Sequence, residues 1–402
     1  MDIMIILQIV VLLGAIYIGV RLGGIGIGYA GGAGVLVLGL CLGMKPGNIP
    51  WDVIMIIGSV IAAISAMQLA GGLQYLVYIA EKILYKNPKY INYLAPIVTY
   101  VLTIFAGTGH TAFSMIPVIV EVAKGENIRP SVPLSMSVVS SQIAITASPV
   151  SAAAIFMTGA LEPFGWSYPT LLGIWLLTTF AGCMLTAFIM THISKLDLSE
   201  DPIYQERLKE GLVKPPVGLQ EMVITPTAKL SVWIFLTGVL CVVFYASAIS
   251  PAVGLIKPVI VPRDAAIMSL MLAVGALITI LCKVKLGNTA GTSIFKSGMV
   301  ACICVLGVAW FGDTFVSDHT KEIKDFASQT ISLYPTLLAV VFFLAAMLLY
   351  SQAATAKAIT PTVVAALGIT AASPDNSYML VACFPAVSAL FVLPTYPTLL
   401  GA

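Results

Sequence analysis

Apolar runs long enough to cross a lipid bilayer recur along most of this 402-residue chain. A hydrocarbon core of about 30 Å needs roughly 20 apolar residues for each spanning helix. Uninterrupted runs of that kind occupy 3–20, 27–44, 52–70, 168–193, 230–249, 264–283 and 294–311. Charged residues make up only 9% of the chain, whereas they make up about 25% of an ordinary soluble domain. The sequence therefore predicts an all-α polytopic membrane protein.

The net charge and the cysteine pattern exclude some classes of partner and site. The net charge is only +2, and no lysine–arginine block exists, so we expect no nucleic acid partner. The seven cysteines lie singly in apolar spans apart from one C-x-C pair, with no histidine nearby. Small buried hydrophobic side chains explain them better than a disulfide framework or a metal site. We expect no metal and no cofactor. The amino terminus enters an apolar run directly, which indicates a first span and not a cleaved signal.

Four further apolar regions are interrupted by small polar residues. They are 92–124 at "FAGTGHTAF", 132–160 at "TASPVS", 333–367 at "YSQAATAKAITP" and 376–400 at "LPTYPT". Unpaired backbone groups at membrane depth are tolerated only where protein or a water-filled cavity surrounds them. We therefore expect two re-entrant hairpins, 92–124 and 333–367, and two discontinuous helices, all beside a polar cavity.

Local residues predict how these breaks are built. Gly107 and Gly109 permit the first hairpin turn because glycine accepts a positive φ. Ser148 is a good helix cap, and Pro149 suits the first helical position. The segment from Thr395 to Pro397 resembles that start. Each half-helix amino terminus carries roughly half a positive charge, so four convergent termini attract an anion without any arginine.

The two sides of a polar stretch, 194–229, resemble each other. Thr111, Ala112 and Pro117 have counterparts in Thr355, Ala356 and Pro361 at one constant spacing, and the order of broken and unbroken spans repeats. We interpret 194–229 as a hydrophilic cytoplasmic linker between two repeats, 1–193 and 230–402. The first repeat then has five crossings plus its hairpin. Because five is odd, the second repeat is inverted.

Lysine and arginine predict the orientation. With the amino terminus outside, most of these cations fall on the cytoplasmic side, including those of the linker. That distribution follows the positive-inside rule. The amino terminus is therefore expected on the periplasmic side.

The polar breaks predict a small anionic ligand. Helix amino termini, threonine and serine hydroxyls and at most one lysine suit a dianion with two separated carboxylates. A proton antiporter requires an acid in the middle of the membrane, but the acids cluster at span ends, with Asp264 and Asp313 near the outer boundary. An enzyme is disfavoured because the chain has no H-E-x-x-H motif and no aspartate pair within a span. An ion channel is disfavoured because paired hairpins imply occlusion.

Several motifs resemble those of a known family. They include "VRLGGIGIGYAGG", "SSQIAITASPVSAAA", "LLYSQAATAKAITP" and "LFVLPTYPTLL". Over essentially the whole chain, the sequence resembles the anaerobic four-carbon dicarboxylate transporters of the Dcu type, closest to the aspartate/fumarate exchanger branch. The resemblance implies antiport of aspartate, fumarate, malate and succinate across a bacterial inner membrane. It also implies a multi-pass, elevator-type homodimer in an ion-transporter superfamily. A sodium- or proton-coupled symporter is the alternative. Relatives have a further span after "PTYP", so a final span is expected to be missing here.

The resemblance also points to substrate contacts at the hairpin tips and broken spans. Carried over to this chain, they are Gly107, Thr108, Gly109, His110, Thr111, Thr146, Ser148, Pro149, Ser151, Ser351, Gln352, Ala353, Thr355, Lys357, Thr395, Tyr396 and Thr398.

Other interpretations remain open for some residues. Lys357 could instead snorkel or bond a hairpin carbonyl, and His110 is a weaker ligand candidate than its threonine neighbours. Gln142 lies one turn before Thr146 and is a plausible supporting partner. The glycines of "GVRLGGIGIGYAGGAG" predict close packing between spans more than ligand binding, and Asp313 is expected to be solvated.

Overall fold

The structure is a computed structural model that describes residues 3–194, 197–213, 223–319, 337–349 and 351–392. Its secondary structure within these ranges is helical, with only two isolated bridges between extended residues. The first half contains α1 (Ile3–Leu22), α2 (Gly26–Leu40), α3 (Trp51–Leu69), α4 (Gly72–Lys86), α5 (Ile91–Ala106), α6 (Ala112–Gly125), α7 (Ser131–Ala144), α8 (Ala152–Leu161) and α9 (Tyr168–Ile193). The all-helical prediction is confirmed.

The polar stretch and the second half continue the helical architecture. The described helices are α10 (Pro202–Lys209), α11 (Pro226–Ala248), α12 (Arg263–Leu281), α13 (Ser293–Cys304), α14 (Trp310–Asp318), α15 (Leu337–Leu349), α16 (Gln352–Ala366) and α17 (Ser377–Cys383). A π-helical segment, Val305–Ala309, joins α13 to α14. A 3-10 helix, Phe384–Phe391, follows α17.

The apolar runs predicted most of the long helices to within a few residues. Seven helical stretches among the described residues are long and apolar enough to cross a membrane, which agrees with a polytopic membrane protein. Helix α4 was not predicted, because its polar residues, which include Gln74, Glu81 and Lys82, interrupt any run of crossing length. Its apolar face, through Ala80 and Leu84, packs in one buried cluster with α5 and α6.

The first hairpin turns where the glycines predicted. Helix α5 ends at Ala106, and Gly107 then adopts a left-handed conformation with φ of +64°. A short 3-10 turn leads into α6. The same reasoning was wrong for Gly109, which is not among the described glycines with positive φ.

The discontinuous helix of the first half breaks between α7 and α8. Both Ser148 and Ser151 have extended backbone angles, so the chain is unwound between them. The helix resumes at Ala152, and the Ser151 hydroxyl caps it by accepting a hydrogen bond from the Ala154 N–H. The prediction that Ser148 caps this helix with Pro149 as its first residue is therefore wrong.

Glycines hold α2 tightly against the π-helical segment, as their motif predicted. A Cβ atom on Gly307 would lie 1.9 Å from the carbonyl oxygen of Gly28, and one on Gly31 would lie 2.5 Å from the Gly307 carbonyl carbon. Such backbone proximity is available only to glycine, and small residues favour close helix packing in membranes. The α2 and α13–α14 helices therefore form one closely packed wall.

Helix packing follows a recurring scheme in the two halves. Helix α1 packs on α2, and α11 packs on α12. Helix α2 contacts the π-helical segment of the second half, while α12 contacts α3 of the first half. Helix α5 packs along α7, and α15 packs along the 3-10 helix Phe384–Phe391. Helix α8 also packs on α16, which brings the break between α7 and α8 close to the start of α16.

Candidate functional site

A cavity of about 150 Å³ lies where the polar breaks meet. One side is formed by the tip of the α5–α6 hairpin and by the first residues of α8 and α16. The opposite side is formed by α2, α3 and α13, through Ile27, Ile57, Val60, Ile61, Gly298 and Ala301 among others. Pockets for drug-sized ligands span roughly 300–1,000 Å³, so this cavity suits a small molecule. We call it the central cavity.

Helix α8 begins at the wall of the central cavity. Its first two residues, Ala152 and Ala153, line the cavity, and their N–H groups have no hydrogen-bond partner among the described residues. Ser151 satisfies only the next N–H, that of Ala154, at 3.1 Å from Oγ to N. The first N–H groups of a helix lack partners within the helix, so two donors remain available at this start.

Helix α16 repeats this arrangement with the same chemistry. The Ser351 hydroxyl accepts from the Ala354 N–H at 3.2 Å, and Gln352 and Ala353 line the central cavity. The N–H groups of Gln352 and Ala353 are likewise unpaired within the described part of the chain. Each helix amino terminus carries roughly half a positive charge. Two such starts beside one cavity form a site for a small anion.

The tip of the first hairpin lies on the same side of the central cavity as these two helix starts. Gly107, Thr108 and Gly109 line the cavity. The Oγ1 atoms of Thr103 and Thr111 lie 2.7 Å apart across the turn and hold the two helices of the hairpin together. Thr111 is therefore a residue that closes the tip, and its hydroxyl is already in use.

Two glutamines connect this tip to α16. Gln352 Nε2 donates to the backbone carbonyl of Gln142, in the last turn of α7, at 2.7 Å. The Gln142 amide lies against Gly109, where a Cβ atom would come 2.3 Å from Nε2. Both glutamines are buried, yet both amide atoms of Gln142 and the Oε1 of Gln352 lack partners among the described residues.

Gly109 is thus required at this position because it has no side chain. It makes room for the Gln142 amide at the hairpin tip. Gln142 was predicted only as a supporting partner of Thr146, and the signal that marks it is a long polar side chain within an apolar span.

The structure brings six of the predicted residues to the central cavity and leaves others away from it. The six are Gly107, Thr108, Gly109, Ser351, Gln352 and Ala353. Thr146 Oγ1 donates to its own helix at the Ile143 carbonyl, 2.7 Å away, and Thr355 Oγ1 donates to the Ser351 carbonyl, also at 2.7 Å. These hydroxyls are used inside the fold and do not line the cavity.

The other predicted residues of the first break support its shape. Ser148 Oγ donates to the carbonyl of Ile104 at 2.6 Å, which ties the unwound segment to α5. The Pro149 carbonyl accepts from the Tyr168 hydroxyl at 3.0 Å. The predicted residues Thr395, Tyr396 and Thr398 lie outside the described residues, and so does the side chain of His110.

Lys357 lies outside the lining of the central cavity and forms an ion pair. Its Nζ atom is 2.5 Å from Oδ1 of Asp52, in the first turn of α3. Ala353, one turn earlier on the same face of α16, does line the cavity. The ammonium group of Lys357 therefore lies one helical turn from the central cavity lining and beside Asp52, which lines a neighbouring cavity.

A second cavity of about 380 Å³ lies beside the central one. We call it the vestibule; its lining includes Asp52, Val53 and Ile56 of α3, Phe156 and Gly159 of α8, and Arg263 and Asp264 of α12. Ala152 lines both cavities. The α3 stripe of Asp52, Val53 and Ile56 continues into the central cavity as Ile57, Val60 and Ile61. The vestibule and the central cavity are therefore consecutive along α3.

The guanidinium group of Arg263 is held at the vestibule wall by other residues. It pairs with Glu162, and both side chains are largely buried. Ser250 Oγ donates to the same Glu162 carboxylate at 2.9 Å, and the guanidinium lies 5.1 Å from the centre of the Tyr168 ring. Arg263 is thus engaged within the fold.

Asp313 was expected to be solvated, and in the structure it is also a hydrogen-bond acceptor within the fold. It is half-buried, and its Oδ2 accepts a hydrogen bond from the Asn48 N–H at 2.6 Å. This contact links α14 to the loop that precedes α3. Among the described residues, no group of three histidine, cysteine or acidic side chains is arranged to hold a metal ion.

Comparison with known proteins identifies the family. A sequence profile of the anaerobic C4-dicarboxylate membrane transporters matches residues 4–402. The C4-dicarboxylate transporter DcuA of Helicobacter pylori strain J99 is 63% identical over 395 residues, covering 98% of this chain and 89% of the relative. The DcuA protein of Escherichia coli K12 is 54% identical over 399 residues, covering 99% and 90%.

A more distant relative carries a related name. The anaerobic C4-dicarboxylate transporter DcuB of Escherichia coli O6:H1 is 34% identical over 408 residues, covering 98% of this chain and 89% of the relative. A cavity lined by capped helix starts, with no acidic side chain in its described lining, accords with the anionic substrates in these names. The chain belongs to the family of anaerobic C4-dicarboxylate membrane transporters.

Proposed function

We propose that this transporter exchanges four-carbon dicarboxylates by antiport and holds them in the central cavity. The observation that carries the proposal is the pair of serine-capped helix starts, whose first N–H groups are unpaired within the described residues and border the cavity. Carboxylates are favoured there by the helix dipoles and by N–H donors together. The relatives' names specify C4-dicarboxylates as a class, and the proposed substrates within that class are aspartate, fumarate, malate and succinate.

The substrate contacts follow from the cavity lining. The N–H groups of Ala152 and Ala153 bind one carboxylate, and those of Gln352 and Ala353 bind the other. The hairpin tip at Thr108 closes the cavity beside them. The two described helix starts contribute about one positive charge, so a cationic side chain near the cavity mouth adds to the binding of a dianion. Lys357 is placed to supply it.

The distribution of polarity supports an elevator-type movement. The polar side chains in the described lining of the central cavity, those of Thr108, Ser351 and Gln352, belong to the α5–α6 turn and to the start of α16. The opposite wall from α2, α3 and α13 is formed by glycines and by apolar side chains, including Ile27, Val60 and Val300. A unit that carries all the polar contacts can slide along an apolar wall without breaking hydrogen bonds to its substrate.

The recurring packing scheme supports two inverted repeats. The exchange of partners between the halves, α2 with the π-helical segment and α12 with α3, is the pattern expected of two related copies, and the odd number of crossings in the first copy makes the second one inverted. The repeats span 1–193 and 230–402, with 194–229 as a cytoplasmic linker and 92–124 and 333–367 as re-entrant hairpins. The lysine and arginine bias supports a periplasmic amino terminus in a bacterial inner membrane, and the assembly is a homodimer.

The electrostatics of the site support exchange over net uptake. An empty site exposes oriented helix dipoles to a medium of low dielectric constant, which disfavours its crossing of the membrane. A bound dianion neutralises those dipoles. Replacement of one dianion by another, such as fumarate by succinate, then requires no accompanying cation.

Counterflow in proteoliposomes tests the proposal. Vesicles containing purified protein are loaded with labelled fumarate and diluted into buffer with or without unlabelled aspartate. Exchange predicts rapid release of label only when external dicarboxylate is present. Equal release without external substrate contradicts antiport, and uptake driven by an imposed sodium or proton gradient into empty vesicles supports coupled symport instead. Empty liposomes provide the control.

A further inference from the structure

One ion pair crosses the boundary between the two walls of the central cavity. Lys357 lies on α16, whose first residues line the cavity on its polar side, and Asp52 lies on α3 of the apolar side. Their charged atoms, Nζ and Oδ1, are 2.5 Å apart. The side chains are 28% and 42% exposed, respectively. The pair is therefore accessible, and it is well formed.

The position of Asp52 relates it to substrate movement. Asp52 lines the vestibule, and one helical turn further along α3 the same stripe reaches Ile56 and then the central cavity through Ile57. An anion that moves from the vestibule to the capped helix starts at Ala152 passes this carboxylate. It therefore passes Lys357 while that lysine is paired.

Because the ion pair is weak, replacing Asp52 by another anion beside Lys357 costs little free energy. Exposed ion pairs contribute little to stability, because water solvates both charges well in their absence. A substrate carboxylate has the same charge and the same acceptor atoms as the Asp52 side chain. Lys357 can therefore exchange one carboxylate for another without ever becoming an uncompensated charge.

The other charges of the vestibule do not share this arrangement. Arg263 is largely buried and pairs with Glu162, so its charge is committed within the fold. Asp264 lines the same cavity as Asp52, but it forms no salt bridge with a described residue. Asp52 is thus distinguished from Asp264 by its cationic partner.

We propose that Asp52 is a resident counter-ion of Lys357, which a carboxylate of the incoming substrate displaces and which recovers the lysine when the substrate leaves. This inference rests on the proposed function, because it assigns Lys357 to substrate binding. Asp52 weakens substrate binding by competing for the lysine, and it accelerates release by the same competition. It acts as a positioning residue through Lys357.

Kinetics of the Asp52→Asn variant test this competition. We expect the half-saturation concentration for external succinate to fall by about two- to fivefold, the range that an exposed pair supports. We expect the maximal counterflow rate to fall as well, because release slows. The matched control is Asp264→Asn, which removes the same charge from the same vestibule without removing a described partner of Lys357. Its maximal rate should stay unchanged.

A double-mutant cycle separates competition from a general electrostatic effect. Lys357→Gln should raise the half-saturation concentration, and Asp52→Asn added to Lys357→Gln should change it no further. Coupling of this kind is expected only when one residue acts through the other. Equal effects of Asp52→Asn and Asp264→Asn, or additive effects in the cycle, overturn the proposal.

Binding to purified protein keeps the test independent of transport rates. Succinate should raise the midpoint of thermal unfolding more in Asp52→Asn than in the unaltered protein, since a ligand stabilises according to its affinity. Smaller stabilisation overturns the proposal. If stabilisation by succinate is smaller but the unaltered protein still catalyses counterflow, only the counter-ion proposal fails and antiport stands. If the unaltered protein shows no counterflow, both proposals fail.

Discussion

Replacement of Ala152 by proline is a direct test of the capped helix start. Proline lacks an N–H group and is well accommodated at the first position of a helix. The preceding residue, Ser151, has φ of −82° and ψ of 136°, which are backbone angles that a residue before proline adopts. The substitution therefore removes one candidate substrate donor and leaves the helix able to form.

The expected magnitude follows from the hydrogen bond that is lost. A hydrogen bond to a charged group contributes about 1.5–3 kcal/mol, which corresponds to roughly a tenfold to hundredfold change in affinity. The proline ring also occupies the place of the bound oxygen atom, so the loss should reach at least tenfold. We expect the half-saturation concentration for fumarate in counterflow to rise by that factor.

The control substitution at this position is Ala152→Ser, which retains the N–H group. It should change the half-saturation concentration by less than about twofold. Thermal unfolding in detergent checks that Ala152→Pro is folded. A folded proline variant with unchanged half-saturation would refute the assignment of this helix start to substrate binding.

Three further substitutions test the packing around the cavity. Gly307→Ala should destabilise the protein by about 1–3 kcal/mol, because the new methyl group overpacks against α2. The control is Gly32→Ala, which places no atom within 4 Å of the new Cβ and should leave the midpoint of thermal unfolding nearly unchanged. Equal midpoints for the two variants would contradict the close packing. Gln142→Leu should raise the midpoint, because it removes a buried amide without a described partner, while slowing counterflow; a lower midpoint would show that the amide is satisfied. Tyr100→Phe should cost about 1 kcal/mol, since its hydroxyl bonds Thr179 at 2.7 Å; a loss above about 3 kcal/mol would indicate a larger role for the hydroxyl.

The sequence predicted features that depend on neighbouring residues. Long apolar runs identified most of the membrane-length helices, because spanning a bilayer imposes length and composition on a local stretch. Gly107 identified the hairpin turn, since a left-handed residue is a local requirement. Helix α4 escaped notice because its apolar residues occupy one face only.

The first broken helix shows a feature that rules for helix capping, applied to the local sequence, cannot predict. Ser148 and Ser151 are both acceptable caps, and each precedes a residue that suits a helix start. The choice between them depends on Ile104, whose carbonyl takes the Ser148 hydroxyl. That acceptor belongs to α5, so the outcome depended on a tertiary contact.

The predicted substrate contacts also separate into those set by local sequence and those set by tertiary contacts. Gly107, Gly109, Ser351 and Gln352 were predicted as parts of the breaks, and they line the cavity, whereas the helix start at Ala152 was predicted three residues too early. The threonines were predicted as ligands, but a threonine in a helix can donate to a carbonyl three or four residues earlier, as Thr146 and Thr355 do. The pairing of Lys357 with Asp52 joins distant parts of the chain and had no signal in either local segment.

The chemical likeness of the starts of α8 and α16 has a consequence for recognition. Each offers a capping serine and two adjacent backbone donors, and neither donor pair includes a group that prefers one carboxylate of a substrate over the other. In the proposed binding mode, symmetric molecules such as fumarate and succinate therefore dock with either end leading. For aspartate and malate, head-to-tail orientation must be decided by whatever surrounds the second carbon, and backbone amides alone leave both polarities of docking open.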